Sequence, residues 1–147
     1  MILDKLNEFC NAVAANTGAA GTYLIGSQID LVDARGIGNG EAMYLVAVVT
    51  TTFTSGGAAT LALRLASDDT AAVHVSTSSS HLTSAIFALA SLTAGTVLMK
   101  VALPNDVYEQ FLGILQITGT AAFTAGAVDV FLVRDASAWV AYADGEN

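Results

Sequence analysis

Histidine, serine, carboxylate and cysteine are the residue types here that could do chemistry, and their spacing decides which chemistry is open to them. His74 and His81 lie seven apart in a stretch rich in Thr and Ser. Strand residues seven apart point to opposite faces, so the two imidazoles do not share a metal there, and no His-x-His or Glu-x-x-His pair supports one. Ser78-Ser79-Ser80-His81 sets hydroxyls beside an imidazole. None sits in a Gly-x-Ser-x-Gly turn, and adjacency in sequence is not a triad. Asp30 with Asp33, Asp68-Asp69, and Asp106 with Glu109 could offer oxygens to calcium. No loop places acidic ligands regularly around a central Gly, so turn-forming or solvated carboxylates are the simpler reading. A carboxylate pair for glycoside hydrolysis can come from distant strands, but one Trp and four Tyr are few for stacking sugars. Gly36-x-Gly38-x-Gly40 leads into a strand-like run with no phosphate-binding Lys, which makes it a turn and not a nucleotide loop. Cys10 is the single cysteine and reads as a small packed residue. No catalytic residue, metal ligand or cofactor is expected, and the protein is not expected to be an enzyme.

Contact residues are better marked. Trp139 and Tyr142 stand in an otherwise polar tail, and Met1, Ile2 and Leu3 open the chain, with Leu6 close behind. Aromatic side chains dominate interface energetics, and apolar residues at a terminus call for a cover. Met1, Ile2, Leu3, Leu6, Trp139 and Tyr142 are therefore the candidate partner contacts.

The elements that would position these residues are strands. Leu3, Leu6, Cys10 and Val13 recur at helical spacing, so 1–20 is expected to be a short amphipathic helix or an arm. The period then becomes two. Tyr23, Ile25, Ile29 and Leu31 share a face, and Met43–Phe53 is a nearly unbroken apolar run fit for a central strand. Leu61, Leu63 and Leu65 point in, while Thr60, Ala62 and Arg64 point out. Ser67-Asp68-Asp69 turns the chain, Val73–Ser80 is a weak polar strand or loop, and Ile86–Leu92 is a strand candidate. Val97, Met99, Val101 and Leu103 alternate up to Pro104, which cannot donate to a ladder. Phe111–Thr118 and Ala127–Arg134 complete about eight strands. The phrase Phe-Thr-x-Gly occurs at Phe53–Gly56 and Phe123–Gly126, with a shortened form at Leu92–Gly95, and predicts glycine turns between hairpin strands. The expected architecture is an all-β, jelly-roll-like antiparallel β-sandwich over 21–135, with an extended tail over 136–147.

Composition sets outer bounds. A chain of 147 residues suits one domain. A net charge of −8 with five Lys and Arg leaves no basic face for nucleic acid or an anionic membrane. The charge-free stretches Ala42–Leu63 and Thr70–Met99 are broken by Thr, Ser and Gly, so no membrane span is expected. Met1-Ile2-Leu3-Asp4-Lys5 lacks the plan of a signal peptide, which predicts a soluble protein made in the cytoplasm. Only 12% of residues are charged, and a surface so short of charge fits coverage by partners.

An ordered series of segments resembles the capsid cement proteins of tailed bacteriophages. It runs from Met1-Ile2-Leu3-Asp4 through Ile29-Asp30-Leu31 and Arg35-Gly36-Ile37-Gly38-x-Gly40-Glu41 into Tyr44-Leu45-Val46. It continues with Phe53-Thr54, Gly57-Ala58-Ala59-Thr60-Leu61, Ser67-Asp68-Asp69, Leu92-Thr93-Ala94-Gly95 and Leu103-Pro104. It ends with Thr124-Ala125-Gly126, Val133-x-Asp135 and Ala138-Trp139-x-Ala141-Tyr142. Residues 70–91 depart from the family's pattern, being longer and richer in Ser and Thr. The resemblance implies a jelly roll that binds as a homo-dimer or homo-trimer on the outside of the icosahedral head, over gaps between major capsid proteins. It implies a virion location, no catalysis and no cofactor. Two rivals are a carbohydrate- or receptor-binding β-sandwich module, which predicts a concave aromatic patch, and a jelly-roll hydrolase, which predicts two carboxylates in one cleft.

Overall fold

The computed structural model describes residues 5–37 and 40–137. Among them are eleven strands and two short 3-10 turns, at Lys5–Asn7 and Leu89–Ser91. The strands are β1 (Glu8–Ala14), β2 (Gly21–Asp30), β3 (Arg35–Gly36), β4 (Tyr44–Ser55), β5 (Thr60–Asp68), β6 (Ser79–Thr83), β7 (Phe87–Ala88), β8 (Val97–Ala102), β9 (Val107–Tyr108), β10 (Phe111–Gly119) and β11 (Phe123–Val133). One sheet runs β1-β11-β4-β8 and the other β2-β10-β5-β6, with β7 beside β5, while β3 and β9 form a small ribbon. All pairs are antiparallel. Setting aside the two-residue strands and renumbering the eight long ones, the sheets read 1-8-3-6 and 2-7-4-5. This is the strand order of a jelly roll, two Greek keys closed into a sandwich.

The core lies between the sheets. Leu45, Ala47 and Val49 of β4 and Val128, Val130 and Leu132 of β11 face Leu61, Leu63 and Leu65 of β5 and Leu112 and Ile114 of β10. The alternation read for β5 holds on its inner side. Its other side differs from expectation: Ala62 is buried too, and Ala66 packs with Leu115 under Val73. Val73 comes from the Ser/Thr-rich loop after β5, and its N–H donates to Gln28 Oε1 at 2.8 Å. The central strand β4 is apolar on both faces because both are covered, with Val46 and Val48 joining Phe131, Val133 and Ala136 in a second layer.

One buried polar group ties the connection after β1 to the core. The Gln116 amide accepts the Asn16 N–H at 2.9 Å, donates to the Asn16 carbonyl at 3.0 Å, and donates to Thr118 Oγ1 at 2.8 Å. A buried amide is tolerable only with such partners.

Four local expectations are corrected. Residues 8–14 form a strand, not a helix: β1 pairs with β11, and register shifts on either side of Cys10 bury Phe9 and Cys10 consecutively. Those irregularities in a strand mimic the three-to-four spacing of a helix. The sandwich thus begins at Glu8, inside the stretch assigned to an arm. Ile86–Leu92 is only briefly a strand, because the chain there crosses from β5 to the opposite sheet, where the Leu92 carbonyl accepts the Phe53 N–H at 2.9 Å. Stacked sheets lie about 10 Å apart, a step that no strand paired to one sheet can make. In β8, Leu98 is an extra residue between the Ala47↔Met99 and Val48↔Val97 pairs, so Leu98 and Met99 are buried together while Val97 and Val101 are exposed.

The Phe-Thr-x-Gly phrases are not hairpin turns. Among the long strands only β5 and β6 are both consecutive and paired; the other connections change sheets. Phe123–Gly126 lies inside β11, at a run of register shifts. The two full phrases meet across β4 and β11. Their rings stack edge to face, Phe53 on Phe123, with centroids 4.8 Å apart, and Thr54 Oγ1 lies 2.7 Å from Thr124 Oγ1.

Candidate functional site

Leu6 sits in the 3-10 turn just before β1 and is 78% exposed. Met1, Ile2, Leu3, Trp139 and Tyr142 lie outside the described residues. Ile86 and Val32 are exposed nearly as strongly as Leu6, and Val107 somewhat less; no periodicity singled them out. Every described Phe and Tyr ring is buried or half-buried.

A polar constellation lies at the end of β5. Ser67 lies two residues beyond Leu65 on the same face, and its side chain is wholly buried. His81 comes from β6, and Asp106 and Glu109 come from the segment joining β8 to β10. His81 Nε2 is 2.7 Å from Ser67 Oγ, and His81 Nδ1 is 2.8 Å from Asp106 Oδ2. Glu109 wraps the same hydroxyl: its N–H donates to Ser67 Oγ at 3.1 Å, and its Oε2 stands 3.0 Å from that oxygen. Ser79 Oγ donates to Glu109 Oε1 at 3.1 Å, and the Tyr108 ring lies 4.4 Å from the imidazole. The His81 hydrogen bond holds the Asp106 carboxyl below the usual range. Burial, aided by the Asp106 charge, pushes the Tyr108 phenol up to about 12; its hydroxyl donates to the Pro104 carbonyl at 2.7 Å.

Serine, histidine and aspartate in this order are the parts of an activated nucleophile. As placed, however, Ser67 Oγ has no open side, because the imidazole and two atoms of Glu109 surround it and solvent does not reach it. What the arrangement does is join three chain segments through one hydroxyl. Sequence reading picked out His81, Asp106 and Glu109 but gave them other partners and read Ser67 as part of a turn. Separations of 14 and 25 residues carry no motif.

His74, by contrast, organises a local turn, its Nδ1 accepting the Ser76 and Thr77 N–H groups at 3.3 Å. Asp68 does the same, accepting the His74 and Thr70 N–H groups, which lower its carboxyl. Among the described residues no three His, Cys, Asp or Glu side chains form a metal cluster. No described helix is long and apolar enough to cross a membrane.

Among the described residues, two clefts stand out on the surface. One of about 720 Å³ lies between β1 and β2 and is lined by Lys5, Leu6, Glu8, Asn11, Gln28 and Asp30 among others. Asp30 is already engaged, with Oδ1 accepting the Val32 N–H and the Gln110 amide. The other, of about 480 Å³, lies by Tyr44, Lys100 and Arg134. There Arg134 and Glu41 form an exposed ion pair at 3.5 Å, a contact worth little.

A family model described as Bbp16 matches residues 9–132. The chain belongs to the Bbp16 family. The Bbp16 match begins inside β1 and ends inside β11, so it spans the whole sandwich. All six candidate contact residues fall outside it. No curated protein matches the chain.

Cys10 yields a direct check. Burial, then the charges of Asp129 and Glu8, push its thiol up to about 12. Because the thiolate is the reactive form, an alkylating reagent at pH 8 is expected to leave the folded protein unlabelled and to label it fully in denaturant. Rapid labelling of the native protein, read by mass spectrometry, would contradict the buried position of β1.

Proposed function

We propose that this chain is a structural virion protein that binds the outside of a phage icosahedral head and stabilises contacts between major capsid proteins, without catalysis. The strand order carries the reading: the jelly roll implied by the resemblance to capsid cement proteins is the fold found. The physics of the role is mass action. A protein that binds the assembled shell and not its separated subunits shifts the equilibrium toward the shell. Such a protein needs contact area and no catalytic cleft. The closed surroundings of Ser67 fit that requirement, as does the lack of an exposed aromatic ring among the described residues. The carbohydrate-binding rival needs such rings.

The partners proposed are the major capsid protein and further copies of this chain, as a homo-dimer or homo-trimer. The proposed contacts are Met1, Ile2, Leu3, Leu6, Trp139 and Tyr142. Deleting residues 1–6 stops short of β1, so the sandwich is expected to keep its stability while shell occupancy falls. Electron microscopy of virions assembled with each form measures this. Full occupancy by the shortened chain would remove the arm from the interface, and virions without external density for the intact chain would overturn the reading itself.

A further inference from the structure

We propose that Ser67, His81, Asp106 and Glu109 form a proton-operated clasp, which fastens the 105–110 segment to the β5–β6 edge when His81 carries a proton on both ring nitrogens. The argument is a count of donors. Asp106 Oδ2, 2.8 Å from Nδ1, is an acceptor, so Nδ1 bears a proton. Ser67 has one hydroxyl proton and two lone pairs. The Glu109 N–H takes one lone pair. One lone pair and one proton remain for two neighbours, His81 Nε2 at 2.7 Å and Glu109 Oε2 at 3.0 Å.

With a proton on Nε2, the ring fills the second lone pair and the hydroxyl proton goes to the Glu109 carboxylate. Every group is then satisfied. With a neutral ring and an ionised Glu109, the one hydroxyl proton has two acceptors to serve; when Nε2 takes it, Glu109 Oε2 faces an oxygen with nothing to donate. Two facing lone pairs with no proton between them repel, and the half-buried carboxylate moves away.

The groups facing the ring are two carboxylates, a phenol and hydroxyls. Asp106 and Glu109 are carboxylates, Tyr108 from the same segment is a phenol, and Ser67 and Ser79 from β5 and β6 are hydroxyls. The neighbouring Asp68 carboxylate is turned away to the His74 and Thr70 N–H groups, and the His74 ring to Ser76 and Thr77. Histidine is the side chain that ordinarily titrates between about pH 5 and 8. The clasp is closed with the doubly protonated ring and loosened with the neutral one. The 105–110 segment contains β9, which pairs with β3, so the clasp also sets the position of the small ribbon and of exposed Val107.

The test is nitrogen-detected NMR of the imidazoles in the intact protein from pH 5 to 8.5, with hydrogen exchange at the Glu109 amide corrected for intrinsic base catalysis. The expected result is a doubly protonated His81 at the acid end and about tenfold lower Glu109 protection at the alkaline end, the loss of one hydrogen bond. In Glu109→Gln the side-chain amide can donate to Ser67 Oγ and free the hydroxyl proton for a neutral ring. Protection at residue 109 should then be flat with pH. A wild-type His81 that is singly protonated at pH 5, or a Glu109→Gln variant with the wild-type pH dependence, overturns the clasp.

Discussion

Gly26→Ala should cost about 3–5 kcal/mol and lower the unfolding midpoint by roughly 10 °C. Between the Ile25↔Ile114 and Ile29↔Leu112 pairs, three residues of β2 stand opposite Gly113 alone. Gly26 opens that bulge with φ of +69°, a region that costs an alanine about 1–2 kcal/mol. The larger part is steric. A Cβ at Gly26 would lie 2.2 Å from the Phe9 carbonyl oxygen and 2.5 Å from Cys10 Sγ. The first of these is backbone of β1, which is fixed by pairing with β11, so relief requires moving a strand. Gly56→Ala is the control, because a Cβ there meets nothing within 4 Å. Denaturant unfolding of both variants measures the difference; a Gly26→Ala loss no larger than the Gly56→Ala loss would refute the close approach of β1 and β2.

Gly126→Ala is expected to cost about 2–4 kcal/mol, and about half of that loss should depend on Phe53. Gly126 has φ of +143°, and an added Cβ would fall 2.5–2.7 Å from three atoms of the Phe53 ring. That ring is buried and packed edge to face on Phe123, so it has little room to turn. In a Phe53→Leu background the obstructing ring is gone, and the same glycine substitution should cost less by about 1–2 kcal/mol. Residues in contact show coupling of this size in a double-mutant cycle. Additive losses would mean that Gly126 is required for its backbone alone.

These two glycines show where the sequence was readable and where it was not. Leu61, Leu63 and Leu65 alternate because one face of β5 is core, and that period is visible without a structure. So is the apolar run of β4, covered on both faces. The bulges are what hid the rest. Phe9 and Cys10 are buried consecutively in β1, and Leu98 and Met99 in β8, so period two is lost where register shifts. The glycine of Phe-Thr-x-Gly was legible as a backbone exception, but its use was not. At Gly126 it makes room for the ring of the other copy instead of reversing the chain. The Ser67 cluster was illegible for a different reason. Its members come from two strands and a loop, and what unites them is the β5–β6 register that places Ser67 opposite Ser79. A register of that kind is a property of the folded sheets and leaves no local pattern.

The pairing of β1 with β11 also has a consequence in time. Glu8 lies opposite Phe131, and β4, at the centre of that sheet, takes β11 as one of its two neighbours. During synthesis the sheet therefore waits until β11 has emerged. Until then β4 can pair only with β8, and the other edge of its apolar run, Leu45 to Val49, is bare. A bare apolar edge invites pairing with other chains, and contacts this distant in sequence form slowly. The interval between completing β8 and completing β11 is thus the time at which a nascent chain is most exposed to aggregation, and crowded synthesis of many copies would lengthen the odds against it.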